Sequence, residues 1–138
     1  MPTPSQRRTN IRNKIKAIVE TSLAHIPDCE IFTTRGESDN LDEFVCIYFD
    51  EGDRRKQHAV IDTDAEIIIR ISTKTEPGHE DERLDVLASS IEQALEDNPS
   101  LDGALFEMFN ASFNYSDSPG GSYSALELTY KVQYSDSE

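Results

Sequence analysis

Between residues 126 and 134 the chain places an apolar or aromatic side chain at every second position, Leu126, Leu128, Tyr130, Val132 and Tyr134. Glu127, Thr129, Lys131 and Gln133 lie between them. A period of two marks a β-strand with one face in a core and the other polar. Ahead of it, Asp117-Ser118-Pro119-Gly120-Gly121 is a turn cluster, and the shorter run Ala111-Ser112-Phe113-Asn114-Tyr115 precedes that. The two runs predict a hairpin. A hairpin alone is marginal in water, so this one requires further strands and a layer of helix over its apolar side.

The rest of the chain supplies both. Residues 1–4, with Pro2 and Pro4, read as a loose tail, after which Ser5 can cap a helix. Ile11, Ile15, Ile18, Val19 and Leu23 recur at helical spacing, and the helix should end before Pro27. Its N-terminal half is basic (Arg7, Arg8, Arg12, Lys14, Lys16). Residues 31–35 predict a short strand closed by Gly36. Residues 44–49, Phe-Val-Cys-Ile-Tyr-Phe, are almost continuously apolar, as in a central strand covered on both faces. Residues 50–58 read as a charged loop with an acidic start and a basic tip. Residues 61–75 alternate through Ala65, Ile67, Ile69 and Ile71 as a long strand antiparallel to the 44–49 run.

Glu76-Pro77-Gly78-His79 breaks that strand. Over residues 80–96, Leu84, Leu87, Ala88, Ile91 and Leu95 define a second helix, with Glu80, Asp81, Glu82 and Asp85 near its start, where the helix dipole favours acids. Asn98-Pro99 ahead of Leu101, Leu105, Met108 and Phe109 predicts a short third helix. The expected order is therefore α-β-β-β-α-α-β-β. It describes a two-layer α+β domain spanning residues 1–138, with helices on one face of a mostly antiparallel, mixed five-stranded sheet and a loose tail at 135–138.

A formal charge of −14 repels a phosphate backbone, which argues against tight nucleic-acid binding. No apolar run approaches the roughly 20 residues of a membrane span, and no signal-peptide core is present, so a soluble protein made in a cytosol is expected. Cys29 and Cys46, the only thiols, read as reduced, buried apolar residues. No histidine stands in a nucleophile or metal motif, and no glycine-rich loop leads from a strand into a helix. The acidic clusters at Asp50, Glu51 and Asp53, at Asp62 and Asp64, and at Glu80, Asp81 and Glu82 lack the spacing of a calcium loop. They read as solvated surface that could hold magnesium weakly. No catalytic or cofactor-binding residues are expected, and the chain does not read as an enzyme.

Tyr123-Ser124, Glu127-Leu128-Thr129-Tyr130 and then Val132 and Tyr134 resemble the C-terminal strand of the tail terminator proteins of long-tailed bacteriophages, the lambda minor tail protein U family. The order of elements can be laid alongside that family over nearly the whole chain. One departure is Asp42-Glu43, where the family often has a proline ahead of the second strand. The resemblance implies a structural protein of the virion, assembled in the host cytoplasm at the head-proximal end of the tail. Such a protein forms a hexameric ring that caps the tail tube, stops its polymerisation and offers a face for head attachment. Its partners would be copies of itself, the tail tube protein and a head-tail connector, with DNA passing through the lumen unbound. A heterologous ring needs two complementary patches on each subunit. Arg54, Arg55 and Lys56 are the candidates for one of them, with Arg35 supporting a subunit boundary. Alternatives are a head-tail joining or tail completion protein and, more distantly, a small metal-dependent enzyme or an intracellular binding module.

Overall fold

The computed structural model describes residues 3–36, 41–57, 60–74, 78–117 and 123–135. Its elements are α1 (Pro4–Ser22), β1 (Cys29–Phe32), β2 (Glu43–Gln57), β3 (Val60–Thr73), α2 (Glu80–Glu96), β4 (Glu107–Asp117) and β5 (Ser124–Ser135). The strands form one sheet in the order β1-β2-β3-β5-β4. Pairing is parallel between β1 and β2 and antiparallel elsewhere. The alternating run at 126–134 becomes β5, hydrogen-bonded on one side to β3 and on the other to its hairpin partner β4. The turn cluster at 118–121, His58, the 76–77 break, Pro2 and the 136–138 tail lie outside the described residues.

Both helices cover the same face of the sheet. Ile11, Ile15 and Val19 of α1 and Leu84, Leu87, Ile91 and Leu95 of α2 pack on Val45, Ile47, Ile67, Ile69, Ile71, Leu126, Leu128 and Val132. Each fully buried Ile or Leu contributes about 1.5–3 kcal/mol of apolar transfer. A smaller cluster forms on the opposite face, where Phe44, Cys46 and Tyr123 pack with Phe32, Leu41 and Tyr48. The Phe44 ring meets Tyr123 edge-on at 5.1 Å, and Tyr123 Oη donates to the Leu41 carbonyl at 2.6 Å. Residues 44–49 are apolar throughout because this end of β2 is covered on both sides.

Five expectations are corrected. The third helix does not form: Leu101, Asp102 and Gly103 all have left-handed backbone (φ 48°, 56° and 87°), which a right-handed helix cannot continue. Leu101 and Leu105 are still buried, but on a turn, and the Phe106 N–H already donates to the Gln133 carbonyl at 2.7 Å, so the chain rejoins the sheet before Met108. The charged loop is strand: β2 continues to Gln57, paired with β3 across a bulge between Phe49 and Gly52. A Cβ on Gly52 would stand 3.1 Å from that of Ala65 and 3.2 Å from the Asp64 carbonyl, which is why glycine sits there. The first strand is Cys29–Phe32 instead of 31–35, because its pairing with β2 ends at Phe32 opposite Cys46. The middle strand is β3, because β5 returns after α2 to pair beside it. Finally, α1 begins at Pro4, capped by Thr3. Proline suits the first helical position, and Gln6 completes a capping box with Thr3, accepting from its N–H at 2.8 Å while the Thr3 hydroxyl accepts from Gln6 N–H at 3.1 Å.

Candidate functional site

The strand order gives the molecule two unlike flanks. At one end lie β1 and the distal half of β2, overlooked by α1. At the other lie β4 and α2.

On the first flank, Arg8, Arg12 and Lys16 are four apart in α1 and form one ridge. The Arg12 guanidinium lies 5.7 Å from the Phe49 ring centroid, setting the first half of α1 above the distal part of β2. Lys16 borders a hollow shared with Cys29, Ile31 and Phe32, so the ridge overlooks β1 as well. Below it, Arg54 and Lys56 pair with Thr63 and Ile61 and point to the helix-bearing side. Arg55 points to the other side and meets Asp64 at 2.6 Å. Arg35, in the bend after β1, reaches an earlier part of the same strand: its guanidinium lies 4.7 Å over the Tyr48 ring and donates to the Phe49 carbonyl at 2.7 Å. Five residues of strand, about 16 Å, separate that point from Arg54. Arg54, Arg55 and Lys56 thus lie on one strand, and Arg35 reaches that strand from the bend after β1 without joining them in a cluster. Arg35 and Arg55 are engaged within the chain.

On the second flank, β4 is the edge strand, and one of its edges meets no strand among the described residues. Phe106, Phe109, Phe113 and Tyr115 are exposed; Phe113 reaches 68%. Phe113 and Tyr115 stack edge-to-face at 5.9 Å on the helix-bearing side. Above them α2 turns a ridge of carboxylates toward β4. Tyr115 Oη donates to Asp85, and Asn110 Nδ2 donates to Glu92 at 2.6 Å. Asp81 and Glu96 continue the ridge at helical spacing. Its negative field is visible in its neighbours. The Tyr115 phenol is pushed up to about 12, first by the Asp85 hydrogen bond. Glu92 is raised above the ordinary carboxylate value chiefly by burial, against the lowering effect of the Asn110 hydrogen bond and with a smaller push from the charge of Asp85. Sequence reading placed Phe113 and Tyr115 in the hairpin. It missed their exposure, because period-two spacing cannot tell an edge strand from a covered one.

The helix-free face carries a shallow hollow of about 420 Å³ where Glu51, Asp53, Asp64, Glu66 and Glu107 surround Phe109 and Lys131. Farther along this face Glu127 accepts from Arg70 at 3.0 Å and from Tyr48 Oη at 3.3 Å, neutralising a half-buried charge. Among the described residues, no group of three or more His, Cys, Asp or Glu side chains converges to hold a metal ion.

The fold defines a two-layer α+β protein whose charged and aromatic groups gather on its two flanks. The family described as phage minor tail protein U matches residues 6–134, and the chain belongs to it. It is a structural protein of the phage tail. Among solved structures, a chain of the virion of a native gene transfer agent particle is similar at 9% identity, with a TM-score of 0.47. The likeness covers 88% of this chain and 84% of that one. No curated protein sequence matches.

Proposed function

We propose that this protein is a tail terminator. Six copies close into a ring on the head-proximal end of the tail tube, halt its polymerisation and present the opposite face to the head-tail connector. The observation that carries the reading is the family match over residues 6–134, nearly the whole chain. The chain acts as one domain and performs no catalysis.

Two physical features support it. A ring through which DNA passes must not hold the phosphate backbone, and the helix-free face, with its carboxylate-rich hollow, suits a lumen wall. The β4 edge, which meets no strand among the described residues and bears exposed aromatics with no lysine or proline within β4, is a surface that natural proteins normally bury against a partner. Arg54, Arg55 and Lys56 at the end of the β2–β3 ribbon meet acidic residues of a neighbouring subunit or of the tube protein. Arg35 holds the β2 edge in shape at the subunit boundary. Magnesium bound weakly by the surface acids would ease repulsion between copies.

Removal of the protein from an infection should yield overlong tails that fail to join heads, and adding it back to growing tubes should restore a fixed length. Electron micrographs of capped tubes should show a six-membered ring with a hole of duplex width. The double variant R54E/R55E should fold yet fail to cap. Tails of normal length without the protein would refute the terminator reading.

A further inference from the structure

The two flanks differ in charge as well as position, and the difference runs across the strand order. Arg8, Arg12 and Lys16 follow one another along α1 with Glu20 as the only acid continuing that ridge. On α2, Asp81, Asp85, Glu92 and Glu96 form the ridge nearest β4, while the one cation in that helix, Arg83, is held by Glu43. Along the helix axes the basic ridge is about 12 Å long and the acidic one about 22 Å. The ridges stand at opposite ends of the sheet, so one copy cannot join them within itself. Two copies can.

We propose that the Arg8, Arg12 and Lys16 ridge of one subunit docks along the Asp81, Asp85, Glu92 and Glu96 ridge of the next, covering Phe113 and Tyr115 and joining copies head to tail. The occupant of the acidic flank is thus a second copy of this chain, chosen by opposite charge and by the exposed aromatics that contact would cover. Such a heterologous contact closes into a ring when its rotation allows. The proposal rests on the ring reading above and specifies which surfaces make it.

The test uses the full chain, free in solution at low salt and on purified tail tubes. Two variants reverse the net charge of one ridge each at positions outside the core: R8E/K16E, and D81K/D85K/E96K. Both should keep the circular dichroism and unfolding midpoint of the original chain, and each should weaken self-association about tenfold or more. In an equimolar mixture every contact between unlike variants is again between opposite charges. The mixture should therefore recover assembly as rings that alternate strictly, three copies of each, by native mass spectrometry. In the original chain, carbodiimide should link Lys16 of one isotope-labelled copy to a carboxylate of α2 in an unlabelled copy. Equal assembly by either single variant, or a mixture that stays apart, would overturn this pairing while leaving the ring reading intact. Loss on reversing the basic ridge alone would likewise overturn it and assign that ridge to the tube protein. An original chain that never closes a ring, free or on tubes, would overturn both.

Discussion

Glu43, at the start of β2, accepts from Arg83 Nε at 2.5 Å and from a second guanidinium nitrogen at 2.6 Å, and from the Thr73 hydroxyl at 3.0 Å. One carboxylate thereby ties β2 and β3 to the first turn of α2. The Arg83 hydrogen bonds hold its acid below the ordinary 4.5 against the opposing cost of burial. A depressed carboxylate stabilises the fold fully above the ordinary value, and that contribution is lost as pH falls through the lower folded value. Glu43→Gln should therefore cost about 1–2 kcal/mol at pH 7, a figure kept low because the pair is partly exposed. The gap between variant and original should narrow in acid, as urea midpoints at pH 7 and pH 3.5 would reveal. Cys29, half-buried beside this pair, has its thiol pushed up to about 11, chiefly by burial. With Cys46 buried, both thiols should react with an aromatic disulfide at pH 8 far more slowly than after unfolding in urea, and the absorbance trace reads this directly. Sequence showed the acids opening α2, but not that Arg83 finds a partner 40 residues away, since an ion pair across elements leaves no local pattern.

Periodicity located α2 at residues 80–96 without error and placed the cores of β3 and β5, because each buries one side, while the continuous apolar run placed the part of β2 that is covered on both sides. It failed where backbone conformation, not side-chain pattern, decides. The apolar spacing of Leu101, Leu105 and Met108 imitated a helix, yet left-handed residues at 101–103 turn the chain into β4. In the same way the charges of residues 50–57 concealed a strand, since pairing with β3 supplies its hydrogen bonds whatever the side chains. The Phe49/Gly52 bulge makes a definite demand. Gly52→Val should destabilise the chain by about 1–3 kcal/mol, because its side chain meets Ala65 and the Asp64 backbone. Ile69→Ala, in the central strand, should cost about 2–5 kcal/mol by opening a cavity in the core beneath α2. Thermal or urea unfolding would measure both. Amide exchange should be slowest in β3 and β5, which are paired on both sides, and faster in β4.

At the scale of the molecule, the fold separates a basic α1 flank from an acidic, aromatic β4 flank and leaves a carboxylate-rich sheet face between them. Contacts between such flanks are largely electrostatic at their rims, so raising salt from 0.05 to 0.5 M should weaken self-association measurably by sedimentation. The aromatics should keep some association at high salt, and F113S should remove that remainder. Sequence alone determined the element types, the two-layer class, the acidic character and the kinship carried by residues 123–134, because these follow from local period and composition. Strand order, the exposure of β4 and the placing of opposite charges at opposite ends were decided only by the tertiary structure. They depend on which distant strands exchange hydrogen bonds, and a side chain's neighbours along the chain do not encode its neighbours across a sheet.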